Sequence, residues 1–169
     1  GCSNKIEQNS VKDFKSPESL YVSAMLMFDE QKYNEANLIF KNIEKIYPLS
    51  NEAIQSQIMQ AFIDYIILDY DAAIVKYSKI ITKYPSLKNI DYIYYMKALC
   101  YYEQISHEGL DGENNTLALN SLSQVVNRFP NSKYAKDSIQ KIILVKSNIA
   151  AKHMTIARFY QKNKKFTAA

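Results

Sequence analysis

The sequence contains few glycines and no long apolar run. Glycine occurs only three times in 169 residues, at Gly1, Gly109 and Gly112. Loops that cradle phosphates or dinucleotides are built on closely spaced glycines, so nucleotide-binding folds of that type are excluded. No apolar run reaches the roughly 18 residues that a transmembrane helix needs. The longest candidate, YIYYMKALCYY, has Lys97 in its middle.

Cysteine and histidine are also scarce. Cys2 and Cys100 are the only cysteines, and two cysteines by themselves form neither a disulfide framework nor a zinc site. Cys100 lies in an apolar, aromatic stretch, which favours a small buried hydrophobic residue. His107 and His153 are 46 positions apart and show no metal-ligand spacing. The sequence therefore predicts a protein that is not an enzyme and that carries no metal and no cofactor.

Charge is distributed unevenly along the chain. Residues 1–130 hold 12 Lys/Arg and 16 Asp/Glu (net −4), whereas residues 131–169 hold 9 Lys/Arg and one acid, Asp137 (net +8). At roughly 100° per residue the lysines of this second segment point all around a helix and form no stripe. The pattern predicts a solvated basic segment, or one that faces an acidic partner protein, and no nucleic-acid partner.

Three of the four prolines end similar segments. In each, an alanine precedes the proline by twelve residues, a large apolar residue follows that alanine by four, and another apolar residue comes three later. This is the second-helix pattern of a tetratricopeptide repeat. The alanine and proline pairs are Ala36/Pro48, Ala73/Pro85 and Ala118/Pro130.

Each repeat also needs a small residue in its first helix, because small side chains let the two helices of a hairpin approach closely. Ala24 and Ala61 lie twelve residues before their second-helix alanines, but Ala98 lies twenty residues before Ala118. The eight extra residues fall in SHEGLDGENNT, which predicts an enlarged loop between the helices.

The fourth unit departs from this spacing. Ala157 and Ala169 are again twelve apart, but Ala157 lies 27 residues after Pro130, whereas Ala61 and Ala98 lie 13 after their prolines. The difference amounts to almost four helical turns, which predicts one long helix with Ala157 as its packing residue. Because the sequence ends about one turn into the next predicted helix, we expect it to be a fragment or to lack later repeats.

Together these signals predict an all-α fold: a tetratricopeptide-repeat superhelix of stacked antiparallel helical hairpins, with one long helix after the third repeat and no strands. The predicted helices are 17–30, 33–47, 51–68, 70–84, 89–105, 115–129 and 132–163. The predicted domains are a polar tether over 1–16 and a repeat domain over 17–169, with repeats at about 17–48, 51–85 and 89–130 and an incomplete fourth at 132–169.

The first helices of stacked hairpins line an inner groove. Their second, fifth, ninth and twelfth positions are rich in aromatic residues here, and Tyr and Phe offer large, stiff contact areas. Such a groove suits an extended or helical peptide that ends in aromatic residues; the alternative for each residue is core packing. The predicted groove residues are Tyr21, Met25, Phe28, Phe62, Tyr65, Tyr92, Tyr95 and Tyr102.

Two stretches, NIDYIYYMKALCYY and FPNSKYAKDSIQKIILVKSNIAAKHMTIARFY, resemble the BamD family, the tetratricopeptide lipoproteins of the bacterial outer-membrane β-barrel assembly machinery. The resemblance runs from about Leu20 to Ala169. It implies a periplasmic scaffold that docks on the periplasmic domains of BamA, alongside other assembly-complex lipoproteins. It also implies recognition of the C-terminal targeting peptides of unfolded outer-membrane proteins.

The resemblance also implies a function for the opening residues GCSNK, which by themselves indicate none. Gly1 then corresponds to the last residue of a secretory signal, and Cys2 to a first mature residue that carries lipid. Several acyl chains on Cys2 would hold the protein at the periplasmic face of the outer membrane, where one chain alone binds only marginally.

Two other functions compete with this interpretation. One is a different periplasmic repeat protein that acts as an accessory factor in cell-envelope or peptidoglycan synthesis. The other is a cytosolic repeat co-chaperone, which would present a basic clamp for acidic C-termini. The groove positions of the first three units contain no Lys or Arg, which argues against the co-chaperone.

Overall fold

A computed structural model describes residues 15–105 and 112–167, and of these the side chains up to residue 163. The described chain forms seven helices and no strand, an all-α tetratricopeptide-like arrangement of successive helical hairpins. None of these helices combines the length and the apolar character required to cross a membrane. The helices are α1 (Pro17–Asp29), α2 (Tyr33–Ile46), α3 (Asn51–Ile66), α4 (Tyr70–Lys83), α5 (Ile90–Glu103), α6 (Gly112–Arg128) and α7 (Lys133–Thr167).

Local sequence signals explain where the helices begin. At α1 the Ser16 side chain accepts a hydrogen bond from the Ser19 amide (3.1 Å), Pro17 occupies the first turn and Glu18 adds a negative charge there. At α4 the Asp69 carboxylate accepts from the Ala72 amide (3.3 Å). These side chains satisfy amides that have no partner inside the helix.

Five of the seven helices begin and end within two residues of the sequence prediction. The exceptions are α6, which starts at Gly112 instead of residue 115, and α7, which continues to Thr167 instead of residue 163. The enlarged loop predicted before α6 falls largely on residues 106–111, outside the described residues. Cys2 also lies outside the described residues. The predicted division into a tether over 1–16 and a repeat domain over 17–169 stays a prediction.

The chain divides into two compact units. The first, Gly1–Gln60, contains α1, α2 and the beginning of α3. Helix α1 packs against α2 around Ala24, Ala36 and Phe40, all of which are fully buried. The Gln60 side-chain amide donates to the Glu44 carboxylate (2.5 Å) and so joins α3 to α2.

The second unit, Ala61–Ala169, contains the rest of α3 and all later helices. Helix α4 packs against α5, α5 against α6, and α7 against both α5 and α6. Ala98 of α5 forms a fully buried cluster with Leu122 and Val125 of α6, and Tyr134 and Ile142 of α7 pack against it. An ion pair between Asp64, which is nearly buried, and Lys76 connects the end of α3 to α4.

The turns within the first two hairpins share an unusual backbone conformation. Gln31 (φ 61°) and Leu68 (φ 68°) are in the left-handed region, which non-glycine residues adopt rarely. Each lies seven residues after the alanine of its first helix, Ala24 or Ala61. The two hairpins thus share a rare backbone conformation at the same distance from their first-helix alanines. This supports the same repeat register for both hairpins, independently of the side-chain pattern.

The long helix α7 is buried near its beginning. Its buried residues Ala135, Ser138 and Val145 follow Pro130 by 5, 8 and 15 positions. The first turns of α7 thus keep the register of an ordinary first helix, since α3 buries Ala53 and Ser56 at the first two of those offsets from Pro48. Ala157, predicted to be a packing residue, is exposed, because the helices that pack on α7 among the described residues cover its beginning.

The other six predicted packing alanines have a common environment. Each has no solvent-accessible surface, so a side chain larger than the methyl group of alanine would displace its neighbours. They are Ala24, Ala36, Ala61, Ala73, Ala98 and Ala118.

Candidate peptide-binding surface

The eight predicted groove residues have an intermediate burial. None of them is among the fully buried core residues, and none is among the exposed large hydrophobic residues. Half-buried aromatic side chains are held in place by their neighbours and still present part of a ring to solvent. Three of the eight lie in the first unit and five in the second, so the two sets are described separately.

In the first unit, α1 carries Tyr21, Met25 and Phe28. The Tyr21 ring packs at a tilt on Phe40 of α2, with centroids 5.8 Å apart, and Phe28 packs on Tyr33 at 5.7 Å. Burial raises the pKa of the Tyr21 hydroxyl. These residues therefore belong partly to the α1–α2 interface.

In the second unit, Phe62 and Tyr65 lie one turn apart near the end of α3 and stack with their centroids 6.2 Å apart. Tyr65 also meets the edge of Tyr70 of α4 at 5.8 Å. Burial raises the pKa of Tyr65 to about 12, and the Glu103 carboxylate contributes to this shift. The hydroxyl of Tyr65 therefore stays protonated at neutral pH and is available as a hydrogen-bond donor.

Helix α5 supplies the other three predicted residues, Tyr92, Tyr95 and Tyr102. Tyr92 and Tyr95 both pack on Tyr134 of α7, with centroid distances of 5.7 Å and 5.1 Å, and the latter pair is stacked. Two rings of α5 thus pack against one ring of α7, which restricts the orientation of all three.

Sequence reasoning missed the contribution of α7. The Asp137 carboxylate accepts hydrogen bonds from the Tyr95 hydroxyl and from the Lys141 ammonium, the latter at 2.7 Å. The Lys141 nitrogen also lies 5.4 Å from the centroid of the Tyr102 ring. Signals for this arrangement were present: Asp137 is the one acid of the basic segment, and Tyr134, Asp137 and Lys141 have the spacing of one helix face.

The pKa values of Tyr95 and Asp137, which share a hydrogen bond, are both shifted. Burial, followed by the bond to Asp137, raises the pKa of Tyr95. Burial also acts to raise the pKa of Asp137, but the hydrogen bonds from Lys141 and Tyr95 outweigh it and lower the pKa below the usual value. At neutral pH Asp137 is therefore a carboxylate and Tyr95 is protonated.

A second set of polar contacts joins the beginnings of α5 and α7. The Ser132 hydroxyl donates to the Asp91 carboxylate (2.7 Å) and accepts from the Tyr134 amide (3.1 Å). Asp91 also accepts from the Tyr92 amide (2.8 Å). The hydrogen bond between Ser132 and Asp91 therefore joins the beginnings of α5 and α7, next to Tyr92 and Tyr134.

We use the name aromatic surface for a group of half-buried rings of α3, α5 and α7 in the second unit together with the Asp137–Lys141 pair. It comprises Phe62, Tyr65, Tyr92, Tyr95, Tyr102, Tyr134, Asp137 and Lys141. It offers ring faces, hydroxyl donors and one charged pair, which are groups that protein binding sites commonly use. The nearby Cys100 is buried and its pKa is raised to about 12, chiefly by that burial, so its thiol stays protonated and is a poor nucleophile. Within residues 15–105 and 112–163 no group of three or more His, Cys, Asp or Glu side chains is placed to hold a metal ion.

The fold defines a class, the repeat proteins that are built from successive helical hairpins. Comparison with known proteins is more specific. A family model described as "YfiO: Outer membrane lipoprotein" matches residues 13–169. The chain therefore belongs to the YfiO family of outer membrane lipoproteins.

Curated relatives agree with this assignment. The outer membrane protein assembly factor BamD of Rickettsia prowazekii is 36% identical over 170 residues, which cover 100% of this chain and 66% of the relative. BamD of Caulobacter vibrioides is 34% identical over 100% of this chain and 56% of its own length. BamD of Neisseria gonorrhoeae is 27% identical over 91% and 61%. The chain thus spans between about half and two thirds of the length of these relatives.

Proposed function

We propose that this chain belongs to a non-enzymatic scaffold that receives unfolded outer-membrane proteins during β-barrel assembly and binds their C-terminal targeting peptides. The observation that carries the proposal is the family match over residues 13–169, together with relatives named as outer membrane protein assembly factors. These names do not favour the alternative role in cell-envelope or peptidoglycan synthesis.

The aromatic surface supports a binding role within this proposal. Its rings are fixed by stacking and by the hydrogen bond from Tyr95 to Asp137, so a ligand would meet a preorganised surface. Preorganisation reduces the entropy that is lost on binding and favours affinity. Apolar, aromatic peptide ends suit the ring faces, and the tyrosine hydroxyls can donate to the carbonyl groups of an extended peptide backbone.

Docking on the periplasmic domains of BamA and on other lipoproteins of the complex is part of the same proposal. Two features of α7 support a protein partner. Several of its large apolar residues are exposed, among them Leu144 (52%) and Met154 (57%), and the segment over 131–169 has a net charge of +8. An acidic, partly apolar surface on the partner would complement both.

We also propose that Cys2 carries lipid and holds the protein at the periplasmic face of the outer membrane. The family description as an outer membrane lipoprotein supports this. Mass spectrometry of the N-terminal peptide from protein purified from its native membrane tests it. An unmodified N-terminal peptide would contradict the proposal.

Peptide binding is tested by substituting two residues of the aromatic surface. We expect Phe62→Ala combined with Tyr95→Ala to weaken binding of a peptide with an aromatic C-terminal residue by about 1–3 kcal/mol, measured by fluorescence anisotropy. The matched control is Tyr94→Ala, since Tyr94 is also half-buried on α5 but packs on Phe129 instead of Tyr134. If the double variant binds the peptide normally while its melting temperature falls sharply, these rings are core residues and the proposed surface is wrong.

A further inference from the structure

The charged pair of the aromatic surface offers more than packing. Lys141 lies against the ring of Tyr102, and only 20% of its side chain is exposed. Its position is fixed, because the Asp137 carboxylate that accepts its hydrogen bond also accepts from Tyr95. Lys133 makes a useful comparison: its nitrogen lies 5.2 Å from the centroid of Tyr134, but the side chain is exposed and no carboxylate among the described residues pairs with it.

The ammonium group of Lys141 has capacity for a second partner. It carries three N–H donors. One bonds to Asp137 at 2.7 Å, and the Tyr102 ring face takes part of the charge through a cation–π contact. Asp137 is itself engaged by two donors, so its charge is largely compensated within the site. Among the described contacts, at least one N–H donor of Lys141 therefore remains for a ligand oxygen.

Charge and shape together indicate which chemical group that oxygen belongs to. The segment 131–169 has a net charge of +8, with Asp137 as its one acid, which favours an anionic group. The opposing charge at this surface is the Glu103 carboxylate of α5, which contributes, after burial, to the raised pKa values of Tyr65 and Tyr95. The neighbouring ring faces suit an aromatic side chain. A carboxylate within one residue of an aromatic side chain is the chemistry of a peptide whose last residue is aromatic and whose C-terminus is free.

We propose that Lys141 binds the terminal carboxylate of such a peptide, with Asp137 and Tyr95 as the residues that position its ammonium group. This inference rests on the proposed function, because it names the part of the peptide that the aromatic surface distinguishes. It explains why a surface made mostly of rings contains one tightly held charged pair.

The test compares two peptides of identical sequence that end in Phe, one with a free carboxylate and one with a C-terminal amide. We expect the wild-type chain to bind the free acid about tenfold more tightly than the amide, because a charge-assisted hydrogen bond is lost on amidation. Lys141→Met keeps the apolar stem of the side chain and should bind both peptides equally. Lys133→Met should keep the preference for the free acid, and Lys141→Arg should keep most of it.

The outcomes separate this inference from the proposed function. Equal binding of the two peptides by the wild-type chain overturns the role of Lys141 and leaves the peptide-binding surface intact. If neither peptide binds, the proposed function itself fails. An equal loss of preference in Lys133→Met and Lys141→Met also overturns the inference, because a general electrostatic attraction would then account for it. If Lys141→Met does not fold, Lys141→Gln takes its place, because it keeps a hydrogen-bonding group next to Asp137 and removes the positive charge; a preference for the free acid that persists in Lys141→Gln overturns the inference.

Discussion

The two parts of α7 differ in what lies against them. Over residues 133–145 the helix packs on α5 and α6 and buries Ala135, Ser138 and Val145. Over residues 146–163 it keeps apolar residues at helical spacing, but Ile156 is 44% exposed and Tyr160 is 67% exposed. We call these the covered part and the open part of α7.

The comparison shows what an apolar helical pattern does and does not determine. Both parts have a pattern that favours helix, and both are helical. Burial, however, depends on a second element that presents a complementary face, and the described residues provide one only for the covered part. Most of the stability of a protein helix comes from such packing and little from intrinsic propensity.

The largest expected difference between the two parts comes from a buried charge. Val145→Asp places a carboxylate at a position that is 2% exposed, which should lower the free energy of unfolding by about 3–5 kcal/mol. Ile156→Asp, in the open part, should cost less than about 1 kcal/mol. Urea unfolding followed by circular dichroism measures both. Similar losses in the two variants would show that the open part is also covered in solution.

Overpacking gives the next test, with the same substitution at two positions of one helix. Ala135 is 1% exposed, so Ala135→Leu should destabilise the chain by about 1–3 kcal/mol. Ala157→Leu should change stability by no more than about 0.5 kcal/mol, since Ala157 is exposed and leucine is a good helix former. A large cost at Ala157 would support the packing role that the sequence predicts for it.

Ala157 also shows that the sequence predicts helices more securely than it predicts which of their faces are buried. Repeated alanine and proline spacings predicted the helices, because close packing between hairpins restricts those positions to small residues. The packing role of Ala157 stays a prediction, because a sequence period cannot show which helix covers the residue and no described helix packs on that part of α7. The register from Pro130, which places Ala135 where Ala53 follows Pro48, was available in the sequence and was the better guide.

The candidate surface was predictable in part, for a different reason. First-helix positions indicated Tyr92, Tyr95 and Tyr102, and these lie together in the second unit. Tyr134, Asp137 and Lys141 were missed, because the long spacing after Pro130 had moved the expected packing region of α7 towards Ala157. Side-chain hydrogen bonds between helices, such as that from Tyr95 to Asp137, join residues 42 positions apart and leave no local pattern.

A glycine substitution tests whether the two parts of α7 are coupled to the rest of the fold. Gln140→Gly, at an exposed position of the covered part, should lower the free energy of global unfolding by about 0.5–1 kcal/mol through loss of helix propensity. Gln161→Gly, at an exposed position of the open part, should leave global unfolding unchanged and increase the amide exchange rates of its own turn. Equal effects on global unfolding would mean that α7 unfolds as one unit.

The smallest expected difference concerns pH, since Asp137 is the one acid of residues 131–169 and lies in the covered part. Its pKa is lowered in the folded chain, where the bonds from Lys141 and Tyr95 outweigh the effect of burial. A carboxyl group with a depressed pKa contributes stability above its unfolded value, near 4, and that stability is lost as pH falls through the folded pKa. Asp137→Asn should therefore be destabilised relative to wild type at pH 6, and the gap should narrow below about pH 4. The side chain is 45% exposed, which keeps the effect small. Thermal unfolding at a series of pH values measures it, and a gap that stays constant down to pH 3 would show that the Asp137 charge does not stabilise the covered part.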